Sequence, residues 1–115
     1  MPKCALRTEF KEKQRVNPEP KLYGIWKKAS IELKQVRRSY GNAGRKQACA
    51  LGAIAYYASN GKTCNPSKIP ISSKLIYANM VAKWERLSGK EISKLNDECG
   101  WTFDEFAKNA KLLDC

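Results

Sequence analysis

Residues 48–58, Ala48-Cys49-Ala50-Leu51-Gly52-Ala53-Ile54-Ala55-Tyr56-Tyr57-Ala58, form an uncharged segment around which the rest of this 115-residue chain has to be arranged. The segment is too short to span a bilayer, which needs about 20 apolar residues. Its alanine content favours a helix over a strand, and Asn60-Gly61 is typical of a helix C-terminus. We therefore predict a buried central helix, in which small residues let neighbouring helices approach closely: Ala48, Gly52 and Ala55.

A first helix is predicted before this segment. Apolar residues recur there at the three-and-four spacing of one helical face: Leu22, Ile25, Trp26, Ala29, Leu33 and Val36. Residues 39–47 contain Gly41, Asn42 and Gly44, which break the helix and predict a connecting turn.

Three further helices are predicted after the central one. The third is capped by Ser72 or Ser73, ends at Ser88-Gly89, and has these residues on one face: Ile76, Tyr77, Met80, Trp84 and Leu87. The fourth covers residues 91–99, with Ile92, Leu95 and Cys99 inward and Gly100 at its exit. The last begins at a capping box formed by Thr102 and Glu105 and buries four residues: Phe103, Phe106, Ala107 and Ala110.

These patterns together predict an all-α fold. We find no alternating strand pattern, so residues 22–115 are expected to form one small domain of about five helices. Residues 1–21 combine charge with Pro2, Pro18 and Pro20, which predicts an irregular basic arm. The chain has no apolar run of membrane-spanning length and no apolar signal-peptide core, so we expect a cytoplasmic protein without membrane contact.

Positive charge is concentrated in the first part of the sequence. Residues 1–47 hold 13 of the 22 basic residues and four of the 11 acidic ones, a net charge of +9 out of the total +11. Residues 71–115 are neutral, with seven basic and seven acidic residues. This division indicates a compact domain with a face that attracts polyanions.

The first helix supplies the main candidate binding residues. Lys27, Lys34 and Arg38 fall within a narrow stripe of it at about 100° per residue. The arm adds further cations that can neutralise phosphates: Lys3, Arg7, Lys11, Lys13, Arg15 and Lys21. The alternative interpretation is that these side chains only solvate the surface of a small soluble protein.

A glycine-containing loop, residues 41–47, places Arg45 and Lys46 just before the central helix. Cations at a helix N-terminus oppose the helix dipole, so their position is better explained if a phosphate lies between them and the free amides. The loop lacks the glycine and the Ser or Thr of a Walker A motif. A mobile turn with two solvated cations is the alternative.

Other kinds of site are less well supported. Gly100 between two short helices resembles a helix-turn-helix, but acidic residues lie where the recognition helix would begin: Asp97, Glu98, Asp104 and Glu105. These acids lack the spacing of a calcium loop, and the chain has no histidine and no CxxC, so no metal or cofactor is expected. Cys49 lies at a helix start, where the dipole lowers a thiol pKa, but without a base nearby it is better explained as a core residue, and no enzymatic activity is expected.

Two segments carry a resemblance to a known group of proteins. They are Cys49-Ala50-Leu51-Gly52-Ala53-Ile54 and Leu95-Asn96-Asp97-Glu98-Cys99-Gly100-Trp101-Thr102-Phe103-Asp104-Glu105-Phe106-Ala107. The pair resembles small, functionally uncharacterised helical proteins of microbial and phage genomes, over roughly the last two-thirds of the chain. The resemblance implies a helical core and assigns no activity.

The sequence thus predicts a non-enzymatic protein that binds DNA or RNA through phosphate contacts. The alternative is a protein-interaction module, such as a small viral or accessory regulator, whose basic face meets an acidic protein surface. A third possibility is a subunit of a larger assembly on which the arm becomes ordered.

Overall fold

The first helix begins where the apolar spacing predicts and ends earlier. The computed structural model describes residues 21–115, in which α1 spans Leu22–Glu32. The predicted face is buried over Leu22, Ile25, Trp26 and Ala29. Leu33 has an extended backbone instead of continuing the helix to Val36. The predicted arm, except for Lys21, lies outside the described residues.

A small sheet follows α1 and corrects the prediction of an all-α fold. Its strands are β1 (Lys34–Gln35), β2 (Gly41–Asn42) and β3 (Gln47–Ala48). β3 lies in the centre, parallel to β1 and antiparallel to β2. Each strand has only two residues, which is too short to show alternation of apolar and polar side chains. The fold is therefore mostly helical with a three-stranded sheet.

The central helix is confirmed as α2, which spans Ala50–Ala58. It begins later than predicted, because Ala48 belongs to β3 and Cys49 is the N-cap. Five of its nine residues are buried: Ala50, Gly52, Ala53, Ile54 and Ala55. The prediction that Gly52 packs closely against a neighbouring helix is wrong. The backbone of the loop before β2 packs against Gly52 instead. A Cβ atom added at Gly52 would lie 1.9 Å from the carbonyl oxygen of Tyr40. That carbonyl also accepts the Cys49 amide hydrogen bond at 3.2 Å.

The remaining helices are α3 (Ile71–Ser88), α4 (Ile92–Asp97) and α5 (Phe103–Leu112). α3 begins at Ile71, ahead of the predicted serine caps, with Pro70 as its N-cap, and ends at Gly89 in the left-handed conformation. Two side chains predicted to be inward are exposed: Leu87 and Cys99. Single-turn 3-10 helices occur at Ala43–Arg45 and Pro66–Lys68.

Aromatic side chains from three helices form the centre of the core. The ring of Trp26 lies 5.2 Å from that of Trp84 and 4.8 Å from that of Phe106, measured between centroids. The capping box at the start of α5 is confirmed, because Thr102 and Glu105 bond each other's backbone amides. None of the helices in residues 21–115 is long and apolar enough to cross a bilayer.

Candidate nucleic-acid interface

The three cations predicted on one helical stripe lie on different elements. Lys27 is on α1, Lys34 opens β1, and Arg38 follows β1 with a positive φ of 64°. The stripe prediction is wrong because α1 ends at Glu32, so helical spacing does not extend to Lys34 and Arg38. All three side chains are nevertheless exposed.

The sheet instead brings Lys34 next to the glycine loop. The backbone amide of Lys34 donates a 2.8 Å hydrogen bond to the carbonyl of Lys46, just before β3. Arg45 ends the 3-10 turn, where its amide donates to the Asn42 side chain at 3.2 Å. Because β1 and β3 are parallel, their first residues lie at the same end of the sheet. We call Lys34, Arg45 and Lys46 the cationic corner.

The predicted phosphate position at the start of the central helix is closed. The Ala50 amide donates to Asn96 Oδ1 at 3.0 Å, and the Gly52 amide donates to Cys49 Sγ at 3.2 Å. β3 also separates Arg45 and Lys46 from α2. The prediction that these cations flank free helical amides is therefore wrong, because side chains of the protein already occupy those amides.

The side chains of the candidate cations form no ion pair within the described part of the chain. The ion pair there joins Lys21 to Asp114 at 2.9 Å, and no ion pair there involves a candidate residue: Lys27, Lys34, Arg38, Arg45 or Lys46. The neighbouring Arg37 differs. Its guanidinium donates to the carbonyls of Asn96 in the last turn of α4 and of Gly100 and Trp101 after it. Arg37 is therefore a structural cation.

The backbone of Arg38 is fixed even though its side chain is exposed. Its amide donates to Asp97 Oδ1 at 2.8 Å, which holds the positive φ angle. The remaining predicted binding residues lie outside the described residues: Arg7, Lys11, Lys13 and Arg15.

A groove between α1 and the C-terminal end of α2 was missed by the sequence analysis. It has a volume of about 560 Å³ and is lined in part by Lys21, Lys28, Glu32, Tyr56 and Tyr57. Lys28 Nζ lies 5.9 Å from the centroid of the Tyr57 ring, within cation–π range. The two tyrosine rings meet edge to face at 5.0 Å. The usable signal was the spacing of Lys21, Lys28 and Glu32, which share one helical face.

Hydrogen bonding fixes one ring of this groove. The Tyr57 hydroxyl donates to Glu32 Oε1 at 2.6 Å. Burial, and then this bond to a carboxylate, raise the pKa of Tyr57 above its ordinary value, so the phenol stays neutral. Aromatic rings beside lysine ammonium groups are the chemistry by which proteins bind single-stranded nucleic acid.

Comparison of the chain with protein-family models, curated proteins and solved structures found no match. The resemblance to small helical phage and microbial proteins therefore stays a prediction. Among residues 21–115, no three cysteine, aspartate or glutamate side chains are grouped so that they could hold a metal ion.

Cys49 is part of the core rather than an activated thiol. It is the N-cap of α2, and its sulfur accepts the Gly52 amide. Burial raises the pKa of Cys49, which outweighs the hydrogen bonds that lower it. The effect of the helix dipole anticipated from sequence is thus overcome by desolvation.

Alkylation rates provide a test of these thiol environments. At mildly alkaline pH, iodoacetamide is expected to modify exposed Cys99 first among the cysteines of residues 21–115, and Cys64 at least about 100-fold more slowly. The reason is that burial raises the pKa of Cys64 to about 11 and thus removes most of its thiolate. Mass spectrometry of peptides over time measures the rates, with the urea-unfolded chain as the control. Modification of Cys49 as fast as Cys99 would show an accessible thiolate and contradict its assignment to the core.

Proposed function

We propose that this protein binds nucleic acid without catalysing a reaction, and that the cationic corner, Lys27 and Arg38 contact phosphates. The observation that carries the proposal is that these five cations are exposed and form no ion pair within residues 21–115. Cationic side chains that are not held in an ion pair are available to neutralise phosphates, which releases the counterions of the nucleic acid. The +9 net charge of residues 1–47 adds long-range attraction, to which the predicted arm contributes.

Phosphate contact is favoured over base readout by the way the corner is built. Lys34 lies on a two-residue strand, Arg45 ends a single 3-10 turn, and Lys46 is the C-cap of that turn. Direct readout requires an α-helix or a two-stranded ribbon that enters the major groove. Such short elements support sequence-independent contact with the backbone. The Tyr56–Tyr57 groove beside Lys28 adds a surface suited to unstacked bases.

A binding titration tests the proposal. The full-length protein is titrated into labelled duplex DNA, single-stranded DNA and an RNA hairpin at about 50 mM and about 200 mM salt. Five phosphate contacts predict that the affinity for the duplex falls about 500-fold between these concentrations. Absence of binding to all three at the lower salt would contradict the proposal.

Nuclease treatment distinguishes a nucleic-acid partner from the alternative partner, an acidic protein surface. A complex held together by nucleic acid is lost when an affinity-purified sample is treated with nuclease before washing. A protein partner retained after that treatment, together with no binding in the titration, would instead favour the protein-interaction function.

A further inference from the structure

The solvent-facing side of α3 carries an apolar seam. Ile71 and Leu75 are 85% and 68% exposed, and Ala78 and Ala82 continue the same line as exposed residues. At 100° per residue these four positions fall within about 60° of the helical circle, along about 16 Å of the axis. We call Ile71, Leu75, Ala78 and Ala82 the α3 seam.

The seam lies opposite the face by which α3 joins the core. Met80 and Trp84 are the buried residues of this helix, at 7% and 1% exposure. On the helical wheel they project roughly 180° away from the seam. Packing within the described chain therefore uses one side of α3 and leaves the seam uncovered.

We propose that the α3 seam docks an amphipathic helix of another protein, one with acidic residues beside its own apolar seam. The seam positions are separated by four, three and four residues, which is the spacing of a heptad seam that packs against a second helix. Ala78 and Ala82 leave room for the partner's larger side chains and allow the helices to approach closely. The proposal concerns a different surface from the cationic corner and does not depend on the proposed function.

The charge beside the seam selects an acidic partner. Lys74 and Arg86 flank it on α3, against the single acidic residue Glu85. Lys83 lies further around the helix, where its ammonium donates to the Asp114 carbonyl at 2.9 Å. Lysine and arginine side chains are positively charged at neutral pH. Opposite charges at the edges of a helix pair set partner choice and suppress like-charged partners.

Two other occupants fit the seam less well. A second copy of this chain would bring the same cations together, with +11 on each molecule. A lipid surface is bound by helices with a broad, bulky apolar face. The α3 seam is narrow, and half of its residues are alanine.

A pair of synthetic helices tests the proposal. Each peptide has about three heptads with leucine at positions a and d; one carries glutamate at e and g, and the other carries lysine there. The full-length protein, labelled with nitrogen-15, is titrated with each peptide and followed by two-dimensional NMR. The glutamate peptide is expected to shift the amide resonances of residues 71–82. The lysine peptide is expected to bind at least about tenfold more weakly.

Two protein variants localise the binding. The first variant combines Ile71→Ser with Leu75→Ser and changes only exposed side chains. It is expected to bind the glutamate peptide at least about tenfold more weakly than the wild type. Ile31→Ser, which changes an 80% exposed residue of α1, is the matched control and is expected to keep the affinity. Circular dichroism melting confirms that both variants are folded.

Several outcomes would overturn the proposal. They are equal affinity for the two peptides, shifts that map away from residues 71–82, and unchanged binding by the double variant. Sedimentation showing a dimer that the double variant abolishes would assign the seam to a second copy. Binding to anionic vesicles that requires Ile71 and Leu75, without peptide binding, would assign it to a lipid surface.

Discussion

Replacing Asn96 with alanine is expected to lower the free energy of unfolding by about 3–4 kcal/mol. Asn96 is 1% exposed and is one of the largest fully buried side chains. Its Oδ1 accepts from the Ala50 amide at 3.0 Å and from Gln35 Nε2 at 2.8 Å. Its Nδ2 donates to the Val36 carbonyl at 3.1 Å. One side chain therefore joins α4 to α2 and to the end of β1.

The stability lost in Asn96→Ala follows from the polar groups that alanine would leave without hydrogen-bond partners. The Ala50 amide and the Val36 carbonyl would each lose a hydrogen bond, and an unsatisfied buried group costs about 1–3 kcal/mol. Gln35 keeps its bonds to the Trp101 carbonyl and the Phe103 amide, so its loss is smaller.

Urea denaturation followed by circular dichroism measures this effect. Asn79→Ala is the control, because Asn79 is exposed on α3, and its change is expected to stay within about 0.5 kcal/mol. Asn96→Asp should be at least as harmful as alanine, since a carboxylate oxygen would then face the Val36 carbonyl and Asp97. An Asn96→Ala protein within about 1 kcal/mol of the wild type would contradict the role of this side chain.

Replacing Gly52 with alanine is expected to destabilise the protein by about 2–4 kcal/mol. An ordinary glycine inside a helix has the opposite behaviour, because alanine there is favoured by roughly 0.5–1 kcal/mol. At Gly52 the new Cβ would lie 1.9 Å from the Tyr40 carbonyl oxygen and 2.9 Å from its carbon. The loop before β2 would have to move off α2, and the Cys49 amide would lose its 3.2 Å bond to Tyr40.

The second helical glycine provides the matched control. Gly24 lies in α1, and a Cβ added there meets no atom within 4 Å. Gly24→Ala is therefore expected to raise the free energy of unfolding by about 0.5–1 kcal/mol. A melting temperature that falls in Gly52→Ala and rises in Gly24→Ala supports the close approach of the loop before β2 to α2. If both variants are stabilised, the packing of the Tyr40 backbone against Gly52 is wrong.

Features that depend on local sequence could be predicted. The uncharged run of the central helix, the apolar face of α1 and the Thr102–Glu105 capping box all depend on residues within a few positions of one another, and all three are confirmed. The exit of α3 at Gly89 is also confirmed.

The predictions that failed concern features that depend on contacts between residues distant in sequence. No glycine or proline near Leu33 signals the end of α1; pairing of Lys34 with the backbone of Lys46 replaces the helix there. That pairing both removes the predicted stripe and creates the cationic corner. The role of Asn96 was not visible because its bond partners Gln35 and Ala50 lie 61 and 46 positions away. The groove of Lys28 and Tyr57 was missed because Tyr57 comes from α2, although the spacing of Lys21, Lys28 and Glu32 marks its α1 side.

The most direct test of nucleic-acid binding by the cationic corner is the salt dependence of a corner variant. Lys34→Gln, Arg45→Gln and Lys46→Gln are combined in one protein, and Lys62→Gln, Lys90→Gln and Lys108→Gln in a control that loses the same charge from other exposed positions. The logarithm of the duplex DNA affinity is plotted against the logarithm of the salt concentration for both. We predict that the corner variant lowers the steepness of this plot by about 2.7, as three lost phosphate contacts require, and that the control lowers it by less than about 0.5. Equal changes in the two variants would show that only net charge matters and would contradict a binding role for the corner.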